Sequence, residues 1–255
     1  MERKQITAEQ KQKIVKSNEI IQESRYKLTA QQQKLVLYMI SKVRPHDTEF
    51  KEYTFDLKNL CQILNIDISG ANYYRFRENI QNIADCSFWI HTDGKDKLYR
   101  WFDDVEIQPN TTTIKIKFDE DLKPFLLQLS KNFTEYQLEK VLCFDSKYSF
   151  RLYELFKSCA YKEKIVISVE DLKRKLMITD KYDRFTTFKT KVLNKAIEEI
   201  NTYTDLEITY TLIRQNRTIT SIDFTIHQSL RKDTETMMNR MKKLRLKQGG
   251  KKDEI

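Results

Sequence analysis

YDRFTTFKTKVLNKAIEEINTYTDLEI, residues 182–208, decides how the rest of this 255-residue chain is read. Phe185, Phe188, Val192, Leu193, Ala196, Ile197 and Ile200 recur at helical spacing and form one apolar stripe. The other face carries Arg184, Thr187, Lys191, Asn194 and Lys195, with Thr190 beside them and Lys189 near the exposed first turns. Arg and Lys pair with guanine, Asn pairs with adenine, and all reach phosphates, so this face suits a DNA major groove. Taken alone, the same face reads better as a solvated helix surface. The segments around it decide between the two.

Upstream, Ile165–Ile167 reads as a short strand, and Ser168 is placed to cap a helix carrying Val169, Leu172 and Leu176 inward. Downstream, Leu206–Ile213 and Thr218–Ile226 read as two strands joined by Arg214-Gln-Asn-Arg217. The first half repeats the pattern. A strand at Tyr53–Phe55 leads to Asp56 as cap, then to Leu57, Leu60 and Leu64, and a loop through Gly70. A helix over Tyr73–Ala84 follows, with Phe76, Ile80 and Ile83 inward, Arg75, Asn79 and Asn82 outward and Arg77 at the edge. Strands at Ser87–His91 and Leu98–Ile107, joined by Thr92-Asp-Gly-Lys95, make the first hairpin; Thr113–Phe118 is a further strand. Ile197 and Ile200 echo Ile80 and Ile83. Helix, short strand, helix, helix and hairpin, found twice, predict an α+β chain of two tandem winged-helix domains related by internal duplication.

The remaining segments fill in the plan. Residues 1–16 read as a polar, flexible arm, with domain 1 over 17–130, domain 2 over 131–228 and a basic tail over 229–255. Thr29 and Gln32 have capping-box spacing before a helix that runs to about Val43, stopped by Pro45. In the joining segment, a helix spans about Asp121–Leu129 with Pro124 near its start, a capped segment covers Thr134–Gln137, and a helix follows Ser146 with Tyr148, Leu152, Leu155, Phe156 and Cys159 on one stripe. Its apolar content predicts that it packs the halves together. Tyr73, Tyr74, Trp89 and Trp101 are assigned to packing.

The charge is lopsided. Residues 1–130 hold 20 Lys/Arg against 19 Asp/Glu, whereas residues 131–255 hold 26 against 18. The excess of the second half fits a polyanion held mainly there. Arg214 and Arg217 at the second hairpin are placed for backbone contact. Arg75, Arg77, Asn79 and Asn82, with Lys95 and Lys97 on the first wing, form a second candidate surface that reads DNA less tightly or supports self-association. No apolar run approaches a membrane span of roughly 18 residues, and no signal-peptide pattern opens the chain. The chain is expected to be soluble and cytoplasmic. Cys61, Cys86, Cys143 and Cys159 stand far apart among apolar neighbours and read as reduced core thiols.

Enzyme readings find little support. His46, His91 and His227 are isolated, so the histidine pair of a rolling-circle nickase is absent. Glycines at 70, 94, 249 and 250 leave no place for a phosphate loop. Asp103-Asp104 and Asp119-Glu120-Asp121 read as solvated turns or helix starts rather than a hydrolase pair. No cofactor and no metal are expected.

Several stretches resemble the Rep_3 family of plasmid replication initiators: SNEIIQESRYKLTAQQQKLVLYMIS, RWFDDVEI with IKIKFDEDLKPFLLQL, and FTEYQLEKVLCFDSKYSFRLYELFKS ahead of YDRFTTFKTKVLNKAIEEIN. The resemblance covers residues 17–228 in family order. It implies tandem winged helices that bind repeated double-stranded origin sequences (iterons), an operator as a further DNA target, and recruitment of host replication proteins, initiator and helicase. It also implies a monomer that initiates, in equilibrium with a homodimer, formed through domain 1, that represses the initiator's own gene. Arg184, Lys189, Thr190 and Lys191 match the family's DNA-reading helix. Thr190 and Lys191 stand where related initiators can carry arginines, and lysine is a point charge without the arginine fork. A tandem winged-helix transcriptional regulator is the rival reading. Repeats of about twenty base pairs beside the coding region would favour the initiator.

Overall fold

The computed structural model describes residues 8–64, 71–92, 94–108 and 111–229. Residues 1–7, the loop through Gly70, and 230–255, which hold nearly all of the basic tail, lie outside the described residues.

The chain begins with strand β1 (Lys13–Ser17), helix α1 (Asn18–Glu23) and the two-residue strand β2 (Ser24–Arg25). The flexible-arm reading is corrected here for residues 13–16. Ile14, Val15 and Lys16 are buried, and β1 pairs antiparallel with β8 (Phe133–Gln137). The Thr134–Gln137 segment is therefore a strand, with Thr134 and Tyr136 inward. Neither strand has a local signal, because each is defined by the other across more than a hundred residues.

Helix α2 (Ala30–Lys42) opens with both hydrogen bonds of the Thr29–Gln32 capping box and ends at Val43. Strand β3 (Tyr53–Asp56) delivers Asp56, whose carboxylate accepts from Asn59 N at 2.8 Å and starts helix α3 (Leu57–Ile63). Helix α4 (Ala71–Ala84) buries Phe76, Ile80 and Ile83.

The strand expected over Leu98–Ile107 is two. Strands β4 (Ser87–Thr92) and β5 (Lys95–Arg100) form a hairpin that joins β2 in one sheet, in the order β2-β4-β5. Strand β6 (Phe102–Ile107) pairs with β7 (Thr113–Phe118) in another, in the order β3-β7-β6. The break falls at Trp101, fully buried and stacked on Phe88 at 4.5 Å. One indole cannot sit in the core and continue an edge strand, so the chain turns the corner there.

The predicted helix at 121–129 is shorter. A 3₁₀ turn (Glu120–Leu122) runs into α5 (Lys123–Leu126), which stops before Gln128, at φ +52°, whose N–H donates to Pro45 O at 2.6 Å. After β8 come α6 (Glu139–Leu142) and α7 (Lys147–Ser158), capped by Ser146. Strand β9 (Lys164–Ser168) and α8 (Val169–Lys175) follow, with the Ser168 hydroxyl accepting from Asp171 N at 3.0 Å. Next are α9 (Phe185–Phe188), α10 (Lys195–Tyr203), and the hairpin β10 (Leu206–Gln215) and β11 (Thr218–Gln228), in sheet order β10-β11-β9.

The duplication holds at the level of pairing. In each half the short strand before the first helix of the motif joins a hairpin through its second strand: β3 to β7, and β9 to β11. By that criterion β6–β7 is the counterpart of β10–β11. The β4–β5 hairpin is an addition to the first half.

Helix α7 joins the halves. All of its residues except Lys147 and Lys157 are buried, including Ser149, Arg151 and Glu154. Glu154 receives Lys16 Nζ at 2.8 and 3.0 Å and the Tyr136 hydroxyl at 2.5 Å. Arg151 donates to Ile21 O and Ser24 O at 3.3 and 2.9 Å and lies 4.2 Å over the Tyr26 ring. Removing one partner of a buried pair strands a charge, which costs about 3–5 kcal/mol. Lys16→Met is accordingly expected to lose about that much in urea unfolding. Adding Glu154→Gln should restore most of it, because the amide still accepts from Tyr136 and carries no charge. A Lys16→Met protein within about 0.5 kcal/mol of wild type would contradict the pairing.

Candidate nucleic-acid interface

The stretch at 185–203 is one helical rod with a change of pitch. Helix α9 leads directly into a π segment, Lys189–Asn194, and then into α10. The expected stripe is buried at Phe188, Val192, Leu193, Ala196, Ile197 and Ile200, and Phe185 is half-buried. The π segment was not legible from spacing. It widens the turn under the basic face and rotates the first turns relative to the last; such segments recur at functional sites.

Arg184, Thr187, Thr190, Lys191, Asn194 and Lys195 are all exposed, and Lys189 is half-buried. No acidic residue interrupts 184–195. The Thr190 hydroxyl donates to Thr186 O at 2.9 Å, so its proton is spent within the helix and its oxygen faces outward as an acceptor. The Asn194 Oδ1 accepts from the Tyr210 hydroxyl at 2.7 Å. That bond ties the helix to β10 and leaves the amide nitrogen free to donate. The sequence analysis did not single out Tyr210, which alternates inward on β10 with Leu206 and Ile208.

The turn before the helix and both flanks of α10 are fixed to the body. Lys173 Nζ donates to Tyr182 O at 2.8 Å, and the Tyr182 hydroxyl lies 3.3 Å from that of Tyr148 on α7. Glu199 accepts from the Ser146 and Asp145 amides at 3.2 and 3.4 Å, at the start of α7. At the far end, Asp205 takes the Tyr153 hydroxyl at 3.0 Å and the Lys157 ammonium. Beyond the helix, the β10–β11 turn passes through Asn216 at φ +57°, with a bulge between Ile213 and Arg214. Arg214 and Arg217 are both exposed at this tip.

The first-half surface is less open. Arg75 and Asn82 are exposed on α4, but Arg77 and Asn79 are half-buried, and Asn79 donates to Gln31 at 3.1 Å. Lys95 and Lys97 lie on β5, in the added hairpin rather than in the counterpart of the second wing; this corrects their placement. Lys97 pairs with Asp121 at 3.0 Å, which raises its pKa, and sits 5.0 Å from the Tyr99 ring centroid. The tip between β6 and β7 includes residues 109 and 110, outside the described ones.

The packing assignment of the aromatics holds for Trp101 and fails for Tyr74 and Trp89. Tyr74 is 72% exposed and Trp89 45% exposed, and the Tyr73 side chain lies outside the described residues. Trp89 faces Leu98, also 45% exposed, across the β4–β5 pairing, so the added hairpin keeps an apolar pair at the surface.

Asp103 and Asp104 lie exposed on β6, while Glu120 pairs with Lys117 and Lys123 at 2.9 and 2.5 Å. Among the described residues no group of three His, Cys, Asp or Glu side chains is placed to hold a metal, and no helix is long and apolar enough to cross a membrane. No disulfide joins any two of the four cysteines among the described residues, and burial pushes Cys61 up to about 11.

Asp205 and Glu199 anchor the helix with opposite pH signs. Burial alone would raise the Asp205 carboxyl, but Lys157 and the Tyr153 hydroxyl hold it below its ordinary 3.8. Its contribution is therefore present above 3.8 and lost as pH falls through the folded value. Burial lifts Glu199 above its ordinary 4.5, so acid favours folding at that site. Asp205→Asn is expected to lower stability by about 1 kcal/mol at pH 7, after allowance for screening, with the gap from wild type closing toward pH 3. Urea titrations at both pH values check this; a gap that persists at pH 3 would remove the Asp205 carboxylate from the account.

Residues 13–157 match the family model described as Initiator Replication protein, WH1, and residues 168–226 match the one described as Initiator Rep protein, WH2. The first match runs through α7, whereas the sequence reading divided the halves at 130. A replication initiation protein of Escherichia coli is 28% identical over 206 residues, which cover 76% of this chain and 64% of the relative. A PI protein of Escherichia coli is 31% identical over 140 residues, covering 49% and 42%. The chain thus spans less than two thirds of the length of either. In fold it is similar to the Pi initiator protein solved in complex with iteron DNA, with a TM-score of 0.71 at 21% identity over 87% of this chain and 99% of that one. A structure of domains 2 and 3 of RctB has a TM-score of 0.51 at 15% identity, over 81% of this chain and 86% of that one. With both winged-helix models matched in order across most of its length, the chain belongs to the initiator replication protein family and has its tandem winged-helix fold.

Proposed function

We propose that this protein is a non-catalytic plasmid replication initiator that binds repeated double-stranded origin sequences. The observation that carries the reading is the solvent face of 184–195: four cations, three threonines and an asparagine, with no carboxylate among them, on the second helix of a helix-turn-helix that is followed by a hairpin. A helix so placed enters a major groove, and the wing beside it lies along the backbone.

In this reading Arg184, Lys189, Lys191 and Lys195 contact base edges and phosphates. Thr187 and Thr190 offer hydroxyl oxygens, and Asn194 donates to a base through its free amide nitrogen. Arg214 and Arg217 hold phosphates from the wing. Arg75, Arg77, Asn79, Asn82, Lys95 and Lys97 supply a secondary contact from the first half. Two modules in one chain engage successive grooves about one helical turn apart, and the second contact is gained intramolecularly.

Self-association through the first domain, repression of its own gene by the dimer, and recruitment of host initiator and helicase complete the proposal, as does a cytoplasmic location. Family membership supports these, and the exposed Trp89–Leu98 pair on the added hairpin supports self-association. A Pi initiator solved with iteron DNA shares the fold.

Footprinting of the purified protein on the DNA beside its coding region is expected to protect repeats of about twenty base pairs. A circle that cannot otherwise replicate should be maintained by the gene and that DNA together. Loss of the circle despite protected repeats would favour a transcriptional regulator, and no protection at all would end the DNA reading.

Lys191→Ala is expected to weaken binding to the protected repeats by about 1–3 kcal/mol while leaving binding to random DNA nearly unchanged. Equal losses on both, measured by fluorescence anisotropy, would restrict Lys191 to a phosphate contact.

A further inference from the structure

A side-chain amide has a donor edge and an acceptor edge, and on an unheld asparagine rotation about the last torsion lets either edge lead. Asn194 is solvent-exposed yet held: its Oδ1 accepts from the Tyr210 hydroxyl at 2.7 Å, across the gap from the helix to β10. The amide is planar, so an oxygen turned toward the wing turns the nitrogen away from it. Four residues earlier the Thr190 hydroxyl has given its proton to Thr186 O and is left with an acceptor. The face thus meets a partner with its polarity already set, acceptor at 190 and donor at 194.

Tyr210 is placed by the core behind it. Asn201 of α10 donates to Ile208 O at 2.9 Å and accepts from Ile208 N at 2.6 Å, which sets β10 against the helix two residues before Tyr210. The Tyr210 ring lies 6.1 Å from that of Phe224, its cross-strand partner, and Phe224 packs at 4.9 Å on Phe156 of α7. Burial of half the side chain raises the Tyr210 pKa, so at neutral pH the phenol keeps the proton that it donates.

We propose that the Tyr210 hydroxyl fixes the Asn194 amide with its nitrogen leading, so that the base opposite Asn194 must offer an acceptor in the major groove and cytosine is refused. Guanine and adenine offer N7 there and thymine offers O4, whereas cytosine offers only the N4 donor. A donor set against a donor leaves both unpaired in a contact that water has left. This rests on the DNA-binding reading above and adds what selects the base. Tyr210 is a positioning residue: it acts on DNA through Asn194.

The test replaces each base pair of a protected repeat in turn by the other three and measures affinity by competition in fluorescence anisotropy. Asn194→Ala locates the pair, as the one position where its preference disappears. There wild type is expected to bind about 10-fold more weakly when the facing base is cytosine. Tyr210→Phe keeps the ring on Phe224 and removes only the hydroxyl, so the amide turns freely and its oxygen can accept from N4. Its cytosine penalty should fall to about 2-fold at that pair alone, with the other positions unchanged. Asn194→Asp still accepts from Tyr210 but leads with an oxygen, and should prefer cytosine at the same pair. A full cytosine penalty in Tyr210→Phe overturns the inference, as does an equal loss on every sequence or an Asn194→Asp protein that still refuses cytosine. Repeats bound with no position sensitive to Asn194→Ala overturn it as well and leave the DNA reading standing. A wild type that binds no repeat overturns the functional reading, and the base selection falls with it.

Discussion

A carboxylate with 1% of its side chain exposed needs a cation and a donor within reach, and Glu154 finds them in Lys16 and Tyr136. That requirement organises the molecule. Helix α7 lies among both halves with almost no solvent-facing side, so each polar group it carries must be answered from a neighbour. Arg151 draws in the end of α1 and the start of β2; Glu154 draws in β1 and β8; Tyr153 and Lys157 draw in Asp205 after the basic helix. A mispositioned half would leave one of these groups unpaired in the interior. The apolar contacts of α7 supply cohesion, and its polar ones supply register.

What was readable in the sequence was what is local. The capping residues Thr29, Asp56 and Ser168 act where their spacing placed them, and the stripe from Phe188 to Ile200 is buried as its period required. The misreadings share a physical origin. Strand β1 contains Lys16 and has no period of two; it is a strand because β8 supplies its hydrogen bonds and Glu154 neutralises its lysine. The run from Leu98 to Ile107 carries strand formers on both sides of Asp103-Asp104, and the packing of Trp101 on Phe88 marks where it passes from one sheet to the other. The π segment arises from how nineteen residues fit between fixed anchors at Tyr182 and Asp205, which no window of sequence contains. For the interface, the residue types of the basic face were legible. The engagement of Asn194 by Tyr210, and of Asn79 by Gln31, was not, because both bonds depend on elements brought together by folding.

The basic helix is held from behind at several points. Tyr182, Glu199 and Asp205 attach its two ends to α7 or α8, and Tyr210 ties its middle to the wing. A side chain that must meet a base edge gains little if its backbone drifts by an ångström, so such anchoring matters more for discrimination than for attraction. The attraction itself comes from charge, which is long-ranged and tolerant of position.

The duplicated units differ most in what their lysines already touch. In the first half Lys97, Lys115 and Lys117 are paired with Asp121, Glu106 and Glu120, so a phosphate approaching them competes with a carboxylate already in place. Arg184, Lys189, Lys191 and Lys195 enter no ion pair among the described residues. Binding a polyanion derives much of its free energy from releasing condensed counterions, and a cation neutralised within the protein releases few. The two halves share a scaffold, yet the cations of the helix face at 184–195 stay out of ion pairs among the described residues, while those of the first wing's strands are largely matched. Of the excess of eight Lys and Arg over Asp and Glu beyond residue 130, five fall in residues 231–255 and three in 131–230, so the helix face at 184–195 stands out by its lack of carboxylate partners rather than by the net charge of its unit.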